Sequence, residues 1–457
     1  MEVHQAVPAD ANYAAAGEGS RSSSGCGGEV LARFGGMLCA AVGKVRAGLA
    51  GVGPKLARVA RDDPRRVTHS LKVGLALTLV SILYYVRPIF NSWGVSTMWA
   101  VLTVVVVMEY TVGGTLIKGM NRALATLVAG FTAVGAHKIA YLCGHDAEPV
   151  VLAIFVFIIA SAATFTRFIP AVKARYDYGV TIFILTFSLV TVSSYRVDEL
   201  IRLAHQRSST IAIGVTTCLL TTAIVCPVWA GEDLHNLTAG NLDKLAQFLE
   251  GMESEYFSES ATGENLESKP FLQLYKSVLN SKAIEDSLSN FAKWEPGHGK
   301  FQYRYPYGQY QKIGAVYRQC ASSMETLASY IITLTKTQYP QADPEQCLRV
   351  RTECGVISLH LAKTLRELSD AIRMMIVPSA AKIDMSAAIR AAKALRAELS
   401  EDPELAKVMH VAVIASLLSE LVAQTKKITE SVDNLARLAG FENPDDTQSD
   451  VVIHVVS

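Results

Sequence analysis

The residues able to do chemistry in the first half of this chain are cations. Lys118, Arg122, Arg167, Lys173 and Arg175 stand at the edges of long uncharged runs, and Arg207 stands just before another. A fixed charge at membrane depth is costly unless it faces protein or water, so such groups tend to line pathways. Rings of Arg and Lys select anions because they replace part of the hydration that an entering anion loses. Taken singly, each cation also fits positive-inside decoration at the headgroups. As a set drawn from several segments, they can converge on one pore, with Arg196, Arg202 and Arg207 doing the same at the opposite mouth. Glu109, beside Tyr110-Thr-Val-Gly-Gly114, is placed to pair with Lys118 or Arg122, or to be a solvated helix end. Asp146, Glu148, Asp198 and Glu199 form an acidic group on the other side, able to bind a cation or simply to be solvated. The chain holds no GxSxG, Walker loop, HExxH or zinc-spaced cysteine quartet. An enzyme is therefore not expected, and no cofactor is implied. Cys347 and Cys354, seven apart on one helical stretch, cannot bridge and read as core residues.

The elements that must position these cations are apolar. Six candidate spans stand out: Leu71–Val86, Trp93–Met108, Ala123–Leu142, Val150–Ile169, Tyr178–Ser194 and Ser209–Trp229. Crossing about 30 Å of hydrocarbon takes about 20 apolar residues. The third, fourth and sixth runs meet this length, and the others must borrow flanking residues. Six such runs argue against buried helices of one large soluble core. Lys55, Arg58, Arg61, Arg65, Arg66 and Lys72 precede the first span, Lys118 and Arg122 lie between the second and third, and Arg167, Lys173 and Arg175 lie between the fourth and fifth. All three groups fall on one side, so both termini are expected in the cytosol.

Composition separates the two halves. Charged residues are 19% of the 457, and 43 Lys+Arg nearly cancel 42 Asp+Glu to give +1. That balance excludes a whole-chain basic footprint for nucleic acid, and the apolar content of 50% excludes disorder throughout. The +1 is itself a cancellation: residues 1–230 carry about +8 and 231–457 about −7. Eight scattered cysteines do not make a disulfide framework. The first 29 residues read as a polar tail without a signal-peptide core. Leu31, Phe34, Leu38, Val42, Val45, Leu49 and Val52, with Arg33, Lys44 and Lys55 opposite, fit a basic amphipathic helix on the membrane surface or a flexible linker. After Trp229 the 3.6-residue periodicity of amphipathic helices takes over, with a long helix over Glu345–Met375 and others over Ser386–Glu398 and Glu404–Leu438. The expected fold is all-α: a cytosolic N-terminal region (1–64), a six-helix transmembrane pore domain (65–231), a cytosolic helical bundle (232–440) and an acidic mobile tail (441–457).

Several motifs carry a family resemblance. Met98-Trp-Ala-Val-Leu-Thr-Val-Val-Val-Val-Met-Glu109-Tyr-Thr-Val-Gly-Gly-Thr-Leu-Ile-Lys118-Gly-Met-Asn-Arg122 resembles the second and third spans of plant aluminium-activated malate transporters. Arg167-Phe-Ile-Pro-Ala-Val-Lys-Ala-Arg-Tyr-Asp-Tyr-Gly179, Pro227-Val-Trp-Ala-Gly-Glu-Asp-Leu-His235 and the Trp294-Glu295-Pro296 signature are similar to that family in the same order. The resemblance covers about Arg65 to Met375. It implies a voltage- and ligand-modulated anion channel of the plasma membrane, or alternatively of the vacuolar membrane. It implies a lipid-embedded homodimer that passes malate, chloride, nitrate or sulfate. It places Lys118, Arg122, Arg167 and Arg175 along the pore, with Arg122 and Arg167 as the narrow ring. Trp294-Glu295-Pro296 would support the cytosolic domain, with Glu295 as salt-bridge partner of a basic helix. Two positions depart from the pattern. Asn91 stands where aluminium-responsive members carry an acid, and Cys226 stands where an aromatic is common in a stretch tied to gamma-aminobutyrate inhibition. A coupled dicarboxylate carrier and a membrane-tethered helical scaffold remain the alternatives. A carrier would more naturally place acids at mid-span.

Overall fold

A computed structural model describes residues 53–85, 98–144, 146–194, 200–258, 268–336, 344–401 and 409–443. The amphipathic stretch before residue 53, Asn91, Asp198, Glu199, the bulk of the acidic tail and the Val451–Val456 run lie outside these residues. The chain divides into two compact units, 1–70 and 71–457, and the second holds both the cations and the helical bundle. Among the described residues the structure is all-helical, with only isolated bridges, His298 to Phe301 and Ile376 to Glu442, in place of strands.

Helices occupy all six apolar positions: α1 (Pro64–Tyr85), α2 (Met98–Val107), α3 (Val112–Leu142), α4 (Glu148–Thr166), the short α5 (Pro170–Arg175), α6 (Asp177–Ser194) and α7 (Leu200–Ile224). Two of them, α3 and α4, are long and apolar enough to cross a membrane by length and composition, and α2 and α6 are shorter apolar helices. Boundaries differ from the hydropathy reading in an informative way. The third span does not begin at Ala123; helix α3 begins at Val112 and carries Lys118 and Arg122 inside it. Helix α7 likewise starts at Leu200 and includes Arg207, then stops at Ile224. Hydropathy windows reject charged residues, whereas a helix propagates through them once its first turn is satisfied. Thr111 supplies that start for α3: it is extended at φ −104°, and its hydroxyl accepts from the Gly114 amide at 3.1 Å.

The packing of this half is inverted relative to a soluble protein. Small residues Ala125, Ala129, Ala133, Ala136 and Ala140 form the buried stripe of α3, and Ala129, Ala133, Ala136 and Ala140 meet Phe187 and Val190 of α6 in one cluster. Small stripes let helix backbones approach closely where solvent supplies no hydrophobic drive. Large side chains face outward instead: Leu124, Leu127, Val128 and Phe131 on α3, and Ile154, Phe157, Ile158 and Phe165 on α4 are all exposed. Continuous apolar surface of this kind fits a lipid surround.

The remaining helices are α8 (Ala230–Met252), α9 (Leu274–Leu279), α10 (Lys282–Ala292), α11 (Tyr307–Lys336), α12 (Pro344–Met374), α13 (Ser379–Glu401) and α14 (Met409–Ala439). They bury the opposite way. Leu234, Leu242, Leu245, Phe248, Leu249 and Met252 of α8 join Ile313, Tyr317, Leu361, Leu365, Leu418 and Leu435 in a core shielded from solvent. A π-helical turn, Glu253–Phe257, ends α8, where Arg351 of α12 donates to the Tyr256 carbonyl. Cys320 and Cys354 lie inside this core, and burial pushes both thiols up to about 12, so they stay protonated. The Cys347 side chain lies outside the described set.

His235 of α8 is buried against Tyr310, with Nδ1 at 2.8 Å from the phenol oxygen. Burial pushes its pKa down to about 4, against the pull of backbone hydrogen bonds at Arg373 and Ile372. The imidazole is thus neutral in the fold and titrates near its ordinary value when unfolded. Between about pH 6.5 and 4 the unfolded chain holds a proton that the fold refuses, so stability is full above this window and falls as pH drops through it. The total loss is about 3 kcal/mol at most. Melting of the purified chain and of His235→Gln, compared across this range, should show the wild type's advantage shrinking as pH falls. A constant difference would exclude the neutral buried imidazole.

Candidate functional site

Two sets of residues organise the chain: a carboxylate at the junction of the halves, and the cations of the apolar half. The carboxylate is Glu295. Helix α10 ends at Ala292, and the next turn closes through Trp294 N to Phe291 O (3.0 Å) and Glu295 N to Ala292 O (3.1 Å). This turn puts the Glu295 side chain between the first turns of α3 and α8. Its Oε1 accepts from the amides of Gly113 (3.2 Å) and Ala230 (2.7 Å), and its Oε2 accepts from Gly231 (3.0 Å). Helix starts leave amides without intrahelical partners and carry partial positive charge, so a carboxylate is a favourable cap for both at once. Trp229, the N-cap of α8, offers no side-chain cap of its own. The expected salt bridge from Glu295 to a basic helix is therefore replaced by three backbone amides. Close approach is possible because two of the donors are glycines. A Cβ on Gly113 would lie 2.4 Å from the Phe291 carbonyl oxygen, and one on Gly231 would lie 2.3 Å from the Tyr307 hydroxyl. Val112 N to Val228 O (3.0 Å) and the stacking of Trp229 on His298, with centroids 3.9 Å apart, complete the joint.

The cations separate into five environments. Lys118 pairs with Glu109 and stands 5.9 Å from the Tyr178 ring. Arg122, one turn further along α3, is 2% exposed. Its Nε donates to Thr103 of α2 at 3.1 Å and its Nη1 to the Tyr178 hydroxyl at 3.4 Å. No carboxylate pairs with it among the described residues. Arg167 differs in kind. It is half-exposed and makes a bidentate pair with Asp177, Nε to Oδ1 at 2.7 Å and Nη2 to Oδ2 at 3.1 Å. The two arginines expected to share one ring are therefore held by consecutive residues at the start of α6, one by an acid and one by a phenol. Lys173 and Arg175 lie on α5, whose end is tied to α3 by Asn121 Nδ2 donating to the Arg175 carbonyl (3.3 Å). Arg207, 7% exposed, lies with its guanidinium carbon 4.2 Å from the Trp99 ring centroid.

Sequence reasoning missed several partners. Asp177 lies ten residues from Arg167, and Thr103 and Tyr178 carry no charge, so nothing in spacing alone marked them. Lys72 reads in sequence as one of the positive flanking residues, yet it is 1% exposed and donates to the Cys226 carbonyl at 2.7 Å, just past the end of α7. Cys226 itself has φ +45°. A cation there matches the negative end of the α7 dipole. Of the acidic group, Glu148 lies 3.8 Å from His137 Nδ1, a charged pair only when that imidazole is protonated, and Asp146 is exposed. Among the described residues, no three His, Cys, Asp or Glu side chains assemble into a metal site.

Comparison with known proteins agrees with these motifs. A family model described as aluminium activated malate transporter matches residues 57–406. The chain is 62% identical over 424 residues to aluminum-activated malate transporter 1 of Triticum aestivum, spanning 92% of each protein. It is 46% identical over 397 residues to aluminum-activated malate transporter 2 of Arabidopsis thaliana, spanning 84% of this chain and 77% of that relative. It is 43% identical over 396 residues to aluminum-activated malate transporter 1 of Arabidopsis thaliana, spanning 84% and 79%.

The cap yields a graded expectation. Glu295→Gln removes the charge and turns an amide NH2 toward backbone donors, which should cost about 2–3 kcal/mol, since hydrogen bonds to charged groups contribute about 1.5–3 each. Glu295→Asp, one methylene short, should recover part of this. Thermal unfolding of the purified full chain reads the series, and a Glu295→Gln protein as stable as wild type would mean that the carboxylate is not the cap.

Proposed function

The chain belongs to the aluminium-activated malate transporter family, a family of membrane transport proteins and not of enzymes, and from that premise we propose that it is a passive anion channel. Its permeants are malate and smaller anions such as chloride, nitrate and sulfate, crossing a plant plasma membrane, with the vacuolar membrane as the alternative address. The observation that carries this reading is Arg122. A guanidinium 2% exposed, held by two hydroxyls and matched by no carboxylate among the described residues, keeps its charge available to a passing anion. At about 8 Å and an effective dielectric near 20, one such charge is worth about 2 kcal/mol to a monovalent anion. Arg167, already matched by Asp177, contributes less net field.

Residues 65–231 form a six-span pore domain and 232–440 a cytosolic bundle, with both termini in the cytosol. Helices at all six apolar positions support the count. Lys173 and Arg175 attract anions at the cytosolic entrance, while Lys118 lines it with its charge largely matched by Glu109. Arg207 over Trp99 lies toward the opposite mouth, where Asp146, Glu148, Asp198 and Glu199 are candidates for an activating cation. Trp294, Glu295 and Pro296 join the two domains. Two subunits form the pore as a homodimer in the lipid bilayer. A coupled carrier is disfavoured because α1, α2, α3, α4, α6 and α7 hold no acid beyond their first residue. A tethered scaffold gives no role to a buried unmatched cation.

Whole-cell recording with malate, nitrate or chloride on either side tests this directly. Arg122→Gln should reduce anion conductance by about tenfold or more, equivalent to about 1.4 kcal/mol of lost anion stabilisation, with surface expression retained. Arg167→Gln should have a smaller effect. Unchanged currents and selectivity in both would remove the pore assignment and favour the scaffold.

A further inference from the structure

Beyond α10 the chain folds back through residues 293–304, closed by the His298 and Phe301 backbone pair at 2.9 and 2.8 Å. One side of this loop faces the junction, where Glu295 meets its three amides, His298 stacks on Trp229, and Phe301 is buried. The other side faces out and has a specific composition. Trp294 is 45% exposed and Tyr303 76% exposed, and Lys293, Lys300 and Arg304 of the same loop are exposed too. The Arg304 guanidinium lies 5.5 Å from the Tyr303 ring centroid. The loop's one carboxylate, Glu295, is turned inward, so every charge it exposes is positive, alongside Trp294, Tyr303, Pro296 and Gln302.

The loop's height is set by the junction. Gly113, the second residue of α3, lies directly against Phe291 and Glu295. If α3 spans the bilayer from this end, the loop stands at the level where the span meets the cytosolic headgroups. Trp and Tyr concentrate at that level because their rings are apolar with a polar edge. Basic residues there are attracted by the negative inner leaflet, by about fivefold in affinity for each.

We propose that residues 293–304 form a lipid-docking loop. Trp294 and Tyr303 seat in the headgroup layer of the inner leaflet, and Lys293, Lys300 and Arg304 bind anionic headgroups. A second copy of the chain is a poorer occupant, because a protein surface covering three cations there would need acids placed at the membrane boundary. The loop thereby holds the Glu295 cap at a fixed depth. This inference rests on the proposed spanning of the membrane by α3.

The test uses the full chain reconstituted in phosphatidylcholine bilayers that contain either brominated phosphatidylserine or brominated phosphatidylcholine. The fluorescence of Trp294 is the difference between wild type and Trp294→Phe. It should be quenched, and more strongly by the brominated anionic lipid. Combined substitution of Lys293, Lys300 and Arg304 by Gln should reduce the anionic preference by up to about a hundredfold, at fivefold for each cation. Should Trp294→Phe fold poorly, Tyr303→Trp adds a second reporter on the same face. A Trp294 component untouched by either quencher, because water or a second copy covers it, overturns the proposal, and equal quenching by both lipids overturns its anionic selectivity. Labelling of Cys143, between α3 and α4, by an impermeant thiol reagent, in a chain whose other cysteines outside the core, Cys226 among them, are replaced by Ser, separates the two readings. Outside-only labelling with no Trp294 quenching defeats the loop alone, whereas inside labelling defeats the spanning assignment beneath it.

Discussion

One buried carboxylate ties this molecule together. Glu295 accepts from the opening turns of two helices that pack in opposite senses: α3, whose outer face is apolar, and α8, whose inner face is apolar. Two helix starts this close would otherwise repel through their aligned dipoles, and their orphan amides would lack water. A single anion cancels both problems with three charge-assisted bonds. The glycines at 113 and 231 and the Trp229–His298 stack are consequences of that geometry, since each lets the backbone come within reach of the acid.

The same economy of charge governs the apolar half. Five cations there have five kinds of partner: an ion pair for Lys118, hydroxyls for Arg122, a bidentate acid for Arg167, an indole face for Arg207 and a helix end for Lys72. These are not equivalent. A cation neutralised by a carboxylate is stable and weakly attractive to other anions, while one held by neutral dipoles keeps its field. The difference between Arg122 and Arg167 is thus a difference in what surrounds them and not in residue type.

Composition and periodicity carried the class of the fold and the positions of its helices, because a helix buried on one face repeats every 3.6 residues and a lipid-facing one is apolar throughout. They misplaced helix starts, since Gly113, Gly114 and Lys118 read as a link when only Thr111 and a distant acid make them helical. The motif around Glu295 was visible, but its partners were not. Backbone amides have no sequence signature, so a salt bridge was the natural expectation. Asp177, Tyr178 and Lys72 escaped for a related reason. A partner chosen by three-dimensional packing, like Cys226 for Lys72 across 154 residues, leaves no local pattern.

The cap also sets an order in time. Gly113 and Glu295 are 182 residues apart. At about 5–20 residues per second of synthesis, the acid emerges about 10–40 seconds after the amide it satisfies. Throughout that interval the opening turn of α3 lacks its acceptor, and that of α8 lacks it for the later part. The joint therefore closes only after both helices have been made. A chain halted before residue 295 would leave the ribosome with both helices made and their joint unsealed.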